Sequence, residues 1–202
     1  IGTLNVSKGL LIFANNLTFN KLASVNTGNI TLGPTASAPT DTGNGSAWFN
    51  VSDATLLGCL TLAASGAISG NTNFNVSTYD LKVSANSNSS LGGNISGTGT
   101  LYLGSSTQRG GWTLSGTNTM ANVYSCVSVA LGADSVVNAT GAIVSSPIGL
   151  GNGLIVQSGS VLDIQGHTLA NNFSVYTSGV GVINTQGNGK ITGTPGGPAT
   201  AL

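Results

Sequence analysis

The sequence predicts an all-β fold on three observations. Apolar and small polar residues alternate almost throughout, Gly/Asn dipeptides punctuate the alternation, and the charged residues that favour helices are scarce. Of 202 residues, five are Lys or Arg and five are acidic, every acid being Asp. Ordinary soluble domains carry about 25% charged residues, against 5% here. Glu, Lys and Arg help to stabilise exposed helix faces, so composition argues against a helical architecture. It also argues against a nucleic-acid partner, because neutralising phosphates takes clustered Lys and Arg. Hydrophobic residues still make up 40% of the chain, enough for a core.

Taken in order, the alternating runs are Leu4-Asn5-Val6, Ile30-Thr31-Leu32, Phe49-Asn50-Val51, Leu60-Thr61-Leu62 and Phe74-Asn75-Val76. Leu81-Lys82-Val83, Leu101-Tyr102-Leu103, Trp112-Thr113-Leu114, Val127-Ser128-Val129, Leu162-Asp163-Ile164 and Val180-Gly181-Val182 continue the series. Side chains on a strand point alternately to its two faces, so each run reads as a short strand with one buried side. Trp112, Leu114, Val127, Val129, Leu162 and Ile164 are the expected core formers. Gly43-Asn44-Gly45 and Gly151-Asn152-Gly153 supply the positive backbone dihedrals of tight turns. The runs starting at Phe49, Leu60 and Phe74 recur about 52 residues later at Leu101, Trp112 and Val127, which suggests an internal repeat. Short strands at such spacing suit a β-helix or solenoid, with a β-sandwich as the alternative. At roughly 20–25 residues per turn, about eight to ten turns would stack ~4.8 Å apart. One β-rich domain is expected over residues 1–192, followed by a Gly/Pro tail or linker over 193–202 that stops the sheet.

Two segments carry a resemblance. Asn94-Ile-Ser-Gly-Thr-Gly-Thr-Leu-Tyr-Leu103, then Trp112-Thr-Leu-Ser-Gly-Thr-Asn-Thr119 and the valine run Val127-Ser-Val129, resembles the autotransporter-associated β-strand repeat. Met120-Ala121 stands where that family usually has Tyr and Gly. Ser160-Val-Leu-Asp-Ile-Gln-Gly-His-Thr-Leu169, then Ser178-Gly-Val-Gly-Val-Ile183, is similar to the family's closing half-repeat. The resemblance implies a right-handed parallel β-helix in an exported, surface-displayed setting, and it implies no particular ligand.

The chemistry-bearing residues are few. Ser160, Asp163 and His167 share one stretch, but on an extended chain Asp163 and His167 stand up to ~13 Å apart unless the turn at Gly166 folds them together. The bland expectation is a turn in which Asp or His caps a backbone amide. Asp41, Asp53, Asp80, Asp134 and Asp163 are scattered, and a polysaccharide-processing enzyme would need some of them, such as Asp134 and Asp163, to meet by stacking. One His and no Asp-x-Asp loop give no metal set, and no cofactor is called for. Cys59 and Cys126 form either one disulfide or two buried thiols, the latter preferred because both lie in strand-like runs. No apolar run is long enough for a transmembrane helix. An Ile1 start suits a mature or excised product, with signal-peptide removal the simple explanation.

Ten Asn-x-Ser/Thr sequons stand at Asn5, Asn16, Asn29, Asn44, Asn50, Asn75, Asn88, Asn94, Asn138 and Asn172. They are candidate glycosylation sites of an exported chain, although strand alternation in a Ser/Thr-rich sequence also generates them. A surface with few charges of either sign opposes association weakly. The segment Gly2-Thr3-Leu4-Asn5-Val6-Ser7 lacks the Lys or Pro that guards open strand edges. It is expected either to cap its own first turn or to add to a neighbour's sheet. The expectation is therefore a non-catalytic extracellular or cell-surface protein, structural or adhesive, whose partners are copies of itself and surface carbohydrate. A virion decoration or tail-fibre component and a polysaccharide-processing enzyme are the alternatives.

Overall fold

The computed structural model describes residues 3–15, 17–41, 43–151, 154–157, 160–176, 182–184, 188–193 and 195–196. These residues form an all-β structure built mainly from parallel sheets. No helix among them is long and apolar enough to cross a membrane.

The longest sheet has nine strands in the order Thr3–Asn5, Ala23–Thr27, Leu60–Ala64, Leu81–Ala85, Thr100–Leu103, Asn122–Ser125, Leu154–Gln157, Phe173–Tyr176 and Pro195–Gly196. All its neighbours are parallel. Leu60, Leu81, Leu101 and Val123 pair in succession, so the chain returns after 21, 20 and 22 residues. Two returns are longer, from Ala23 to Leu60 and from Val123 to Leu154. Each spans an insertion. The 52-residue repeat expected from the sequence is not the structural one: Leu60 pairs with Leu81 and Phe74 with Ile95, whereas Trp112 pairs with Ser89 in another sheet. Similar apolar triplets occur on every sheet, and their spacing alone does not say which of them share one.

Between visits to the long sheet the chain passes through two further stacks. One consists of Leu10–Ala14, Ser46–Asn50, Asn29–Leu32 and Ile68–Gly70. It is followed by the five-stranded sheet Ser89–Leu91, Trp112–Leu114, Val129–Leu131, Val161–Asp163 and Val182–Asn184. The step between these sheets is made by the Ile68 amide donating to Ser89 Oγ and the Gly92 amide donating to the Gly70 carbonyl. Gly70 has φ +128, and a Cβ there would collide with the Leu32 carbonyl oxygen, so only glycine fits. The other stack orders Ile95–Ser96, Asn73–Asn75, Asp53–Leu56 and Leu17–Phe19. Beyond Ile95 it goes on through bonds from the Met120 amide to the Ile95 carbonyl and from the Leu150 amide to the Met120 carbonyl.

Among the described residues, inward-pointing apolar side chains from the three stacks form one core, including the six expected core formers, each at most 3% exposed. Burying a Leu or Val fully is worth about 1.5–3 kcal/mol. Val127 is buried but precedes its strand, which begins at Val129. Pro195–Gly196, inside the stretch expected to stop the sheet, instead pairs in parallel with Phe173 and Ser174. Residues 197–202 and Gly2 lie outside the described residues.

The two insertions differ. In the first, the chain leaves the sheet after Leu32, and Ser46–Asn50 then inserts between Leu10–Ala14 and Asn29–Leu32. The second insertion carries an antiparallel hairpin, Val136–Val137 with Ile143–Ser145, held at its base by the bridge from Asn118 to Ser146.

Candidate functional surface

The candidate catalytic residues sit around one turn and the acid of the preceding passage. Asp163 Oδ1 accepts the Gln165 amide at 3.0 Å, within a turn in which Gln165 and Gly166 have positive φ. The His167 amide closes that turn on the Ile164 carbonyl at 2.7 Å. His167 Nδ1 lies 3.4 Å from Asp134 Oδ1, an acid from the preceding passage of the chain. Asp134 also accepts the Thr168 amide at 2.7 Å. Ser160 is buried at the start of its strand. Asp134 thus meets His167 and the Thr168 amide, while Asp163 caps the Gln165 amide. Asp41 accepts the amides of Gly9 and Gly43, and Asp53 accepts Nδ2 of Asn73. Among the described residues no group of three or more His, Cys, Asp or Glu side chains converges to hold a metal.

Cys59 and Cys126 are free thiols, as the preferred alternative expected, but each is half-buried rather than buried. Three steps of the long sheet separate their strands, more than about 14 Å, too far for a bond. Burial pushes the Cys126 thiol up, partly opposed by its backbone hydrogen bond and by Arg109.

Asparagines serve as brackets between successive passages of the chain. Asn94 Oδ1 accepts both the amide and the hydroxyl of Thr117, while the Asn94 amide donates to Asn73 Oδ1. Asn88 Oδ1 accepts the Gly111 amide and Asn29 Oδ1 the Ala67 amide. Asn118 is fully buried: its Oδ1 takes the Ile95 amide and its Nδ2 donates to the Pro147 carbonyl, both at 2.7 Å. Several Asn-x-Ser/Thr triplets are thus explained by fold alone, since a short amide side chain at a turn can satisfy the neighbouring passage. Of the sequon residues, Asn5, Asn44, Asn75, Asn88, Asn94, Asn138 and Asn172 are exposed, Asn29 and Asn50 are half-buried, and Asn16 lies outside the described residues.

The outer face of the long sheet carries a feature that the sequence reading missed. Thr3, Ser24, Thr61, Lys82, Tyr102 and Tyr124 occupy one register column. The Tyr102 and Tyr124 rings stack at 5.4 Å, with Lys82 Nζ 5.3 Å from the Tyr102 ring centre. Desolvation, then the charge of Asp80, raises the Tyr102 hydroxyl above its ordinary range. Leu81-Lys-Val and Leu101-Tyr-Leu, 20 residues apart, were the signal. The column offers water a polar surface with one ammonium and aromatic edges.

These features define an all-β protein of stacked parallel strands with a sparsely charged, Asn- and Thr-rich exterior. Compared with known proteins, the chain matches no family model, no curated protein and no solved structure.

Proposed function

We propose that this chain is an exported, non-catalytic structural protein that joins copies of itself into a surface layer, fibre or filament. In this reading its sheets close into a right-handed parallel β-helix, related to the autotransporter-associated repeats that its sequence resembles. The return of the chain to one parallel sheet every 20–22 residues over Leu60–Val123 supports the coiled architecture.

The observation that carries the self-association is the first end of the stack. Among the described residues Thr3–Asn5 pairs on one side only, with Ala23–Thr27. The apolar column is open at the same place: Leu4, Phe13 and Leu17 are only half-buried, whereas Val25, Phe49 and Ala54, one layer in, are at most 2% exposed. A strand and apolar cap from a second copy would satisfy both the free edge and the open core. Low charge leaves this approach unopposed.

The test is electron microscopy and sedimentation of native material beside a Leu4→Lys variant, which puts a charge on the open end. Wild-type filaments or layers that give way to discrete particles in the variant are the expected result. Wild-type protein that stays monomeric at every concentration sinks the reading.

A further inference from the structure

The second insertion ends in a surface that a folded protein in water does not ordinarily leave bare. Val136, Val137 and Val144 are 46%, 48% and 46% exposed on a two-stranded hairpin. Such a hairpin is marginal on its own, and its exposed valines, lying on both of its faces, leave apolar surface that a covering group could shield. Its tip is Asn138-Ala139-Thr140-Gly141, which contains a sequon.

We infer that Asn138 is an N-glycosylation site and that the proximal sugars of its glycan are what cover the hairpin valines. Two observations together set it apart from the sequons whose three residues are all described. All three of its residues are exposed, whereas the middle residue is buried at Asn44, Asn50, Asn75, Asn88 and Asn94. Its carboxamide is also presented by the turn: Asn138 Oδ1 accepts the Thr140 hydroxyl at 2.7 Å and the amides of Thr140 and Ala142 at 3.0 Å. Three donors hold the oxygen, and among the described residues Nδ2 takes part in none of the turn's hydrogen bonds. At Asn88 and Asn94 the oxygen instead anchors a neighbouring passage. Gly141, at φ +82, has open space around it, so the tip leaves room for an enzyme.

The reaction needs a sugar activated at its anomeric carbon by a lipid diphosphate. Nδ2 forms a bond to that carbon, the bond from carbon to diphosphate oxygen breaks, the diphosphate leaves with the electron pair, and Nδ2 loses one proton. Val136 lies two residues before the acceptor, where the apolar face of the first sugar can rest. The inference depends on the reading of the chain as exported, since donor and transferase act on exported chains.

The experiment compares native protein from the extracellular and cell fractions by mass spectrometry of peptides spanning Asn138. It adds Thr140→Ala and Thr140→Ser variants passed through a secreting host that glycosylates. Sugar on Asn138 of the extracellular protein is expected, with loss of one glycan's mass in Thr140→Ala and its retention in Thr140→Ser. Enzymatic removal of the sugar should raise binding of an apolar dye, and Val136→Thr/Val137→Thr/Val144→Thr should abolish that rise. Extracellular protein with a bare Asn138 overturns this inference and leaves the proposed function standing. Protein confined to the cell overturns the proposed function itself. Dye binding unchanged by sugar removal overturns the covering role.

Discussion

Two insertions interrupt the regular return of the chain, and they end in opposite environments. Ser46–Asn50 is taken into the structure: it pairs on both edges, Phe49 is fully buried, and Trp48 donates its indole N–H to the Gly33 carbonyl at 2.9 Å. The hairpin of residues 136–145 pairs only with itself along its strands and leaves three valines in water. Both segments are apolar, so hydrophobicity alone did not decide their fate. The first brings bulky side chains to a place with two free strand edges. The second brings a tight turn with Gly141 and β-branched neighbours, so its two strands pair with each other.

The comparison predicts unequal costs. Phe49 stacks on Phe13 at 4.5 Å and meets Phe19 at 6.2 Å. Phe49→Ala should therefore cost about 3–5 kcal/mol in a denaturant titration. A loss below 1 kcal/mol would mean that the inserted strand is not part of the core.

The next effect tests how the hairpin is tethered. A buried polar network lies at its base: Asn118 bonds the Ile95 amide and the Pro147 carbonyl, Ser135 Oγ contacts Ser146 Oγ and Asn171 Oδ1, and Asn171 Nδ2 donates to the Gly149 carbonyl. Asn118→Ala orphans a buried amide, so about 1–3 kcal/mol should be lost. Hydrogen exchange should quicken at Ile95, Ser146 and Ile148. Unchanged exchange at those amides would show that the base is held by other means.

Third in size are the valines. Val136→Thr, Val137→Thr and Val144→Thr should each stay within about 0.5 kcal/mol of wild type, because they remove little buried surface. A larger loss in material without sugar would show that something else buries this hairpin.

The all-β class was legible because alternation is a local property: Leu60-Thr-Leu and Leu81-Lys-Val show it within three residues. Which triplets are neighbours was not legible. That depends on the length of each return, and the two insertions shift the spacing by amounts no triplet records. The asparagines were read as sugar acceptors, yet Asn118, which no sequon marks, bears the most structural weight. The exposed hairpin could have been found from Val-Val-Asn-Ala-Thr-Gly-Ala-Ile-Val, where a turn sequence sits between β-branched pairs. The pairing of His167 with Asp134 needed the stacking of two passages, so sequence proximity pointed to Asp163 instead.

The smallest effect sets the regular sheet apart from both insertions, because the two groups with displaced titration lie along it. Cys126 follows the strand Asn122–Ser125, with its Sγ 3.4 Å from the Leu103 carbonyl oxygen, and burial raises its pKa. A thiol is neutral when protonated, so a raised native pKa means that the folded chain holds the proton more tightly than the unfolded one. Its contribution to stability is complete below the unfolded value of about 8.5 and is lost as pH climbs through the folded value. Tyr102 acts in the same direction at higher pH, since desolvation and Asp80 both disfavour its phenolate. Both groups are partly exposed, so water screens the effect and the slope should be shallow. Denaturation midpoints followed from neutral to alkaline pH should fall in the wild type, fall less in Cys126→Ser, and flatten further when Tyr102→Phe is added. The Phe49→Ala and valine variants should keep the wild-type slope even as their midpoints shift. Equal slopes in Cys126→Ser and wild type would place the alkaline sensitivity elsewhere in the chain.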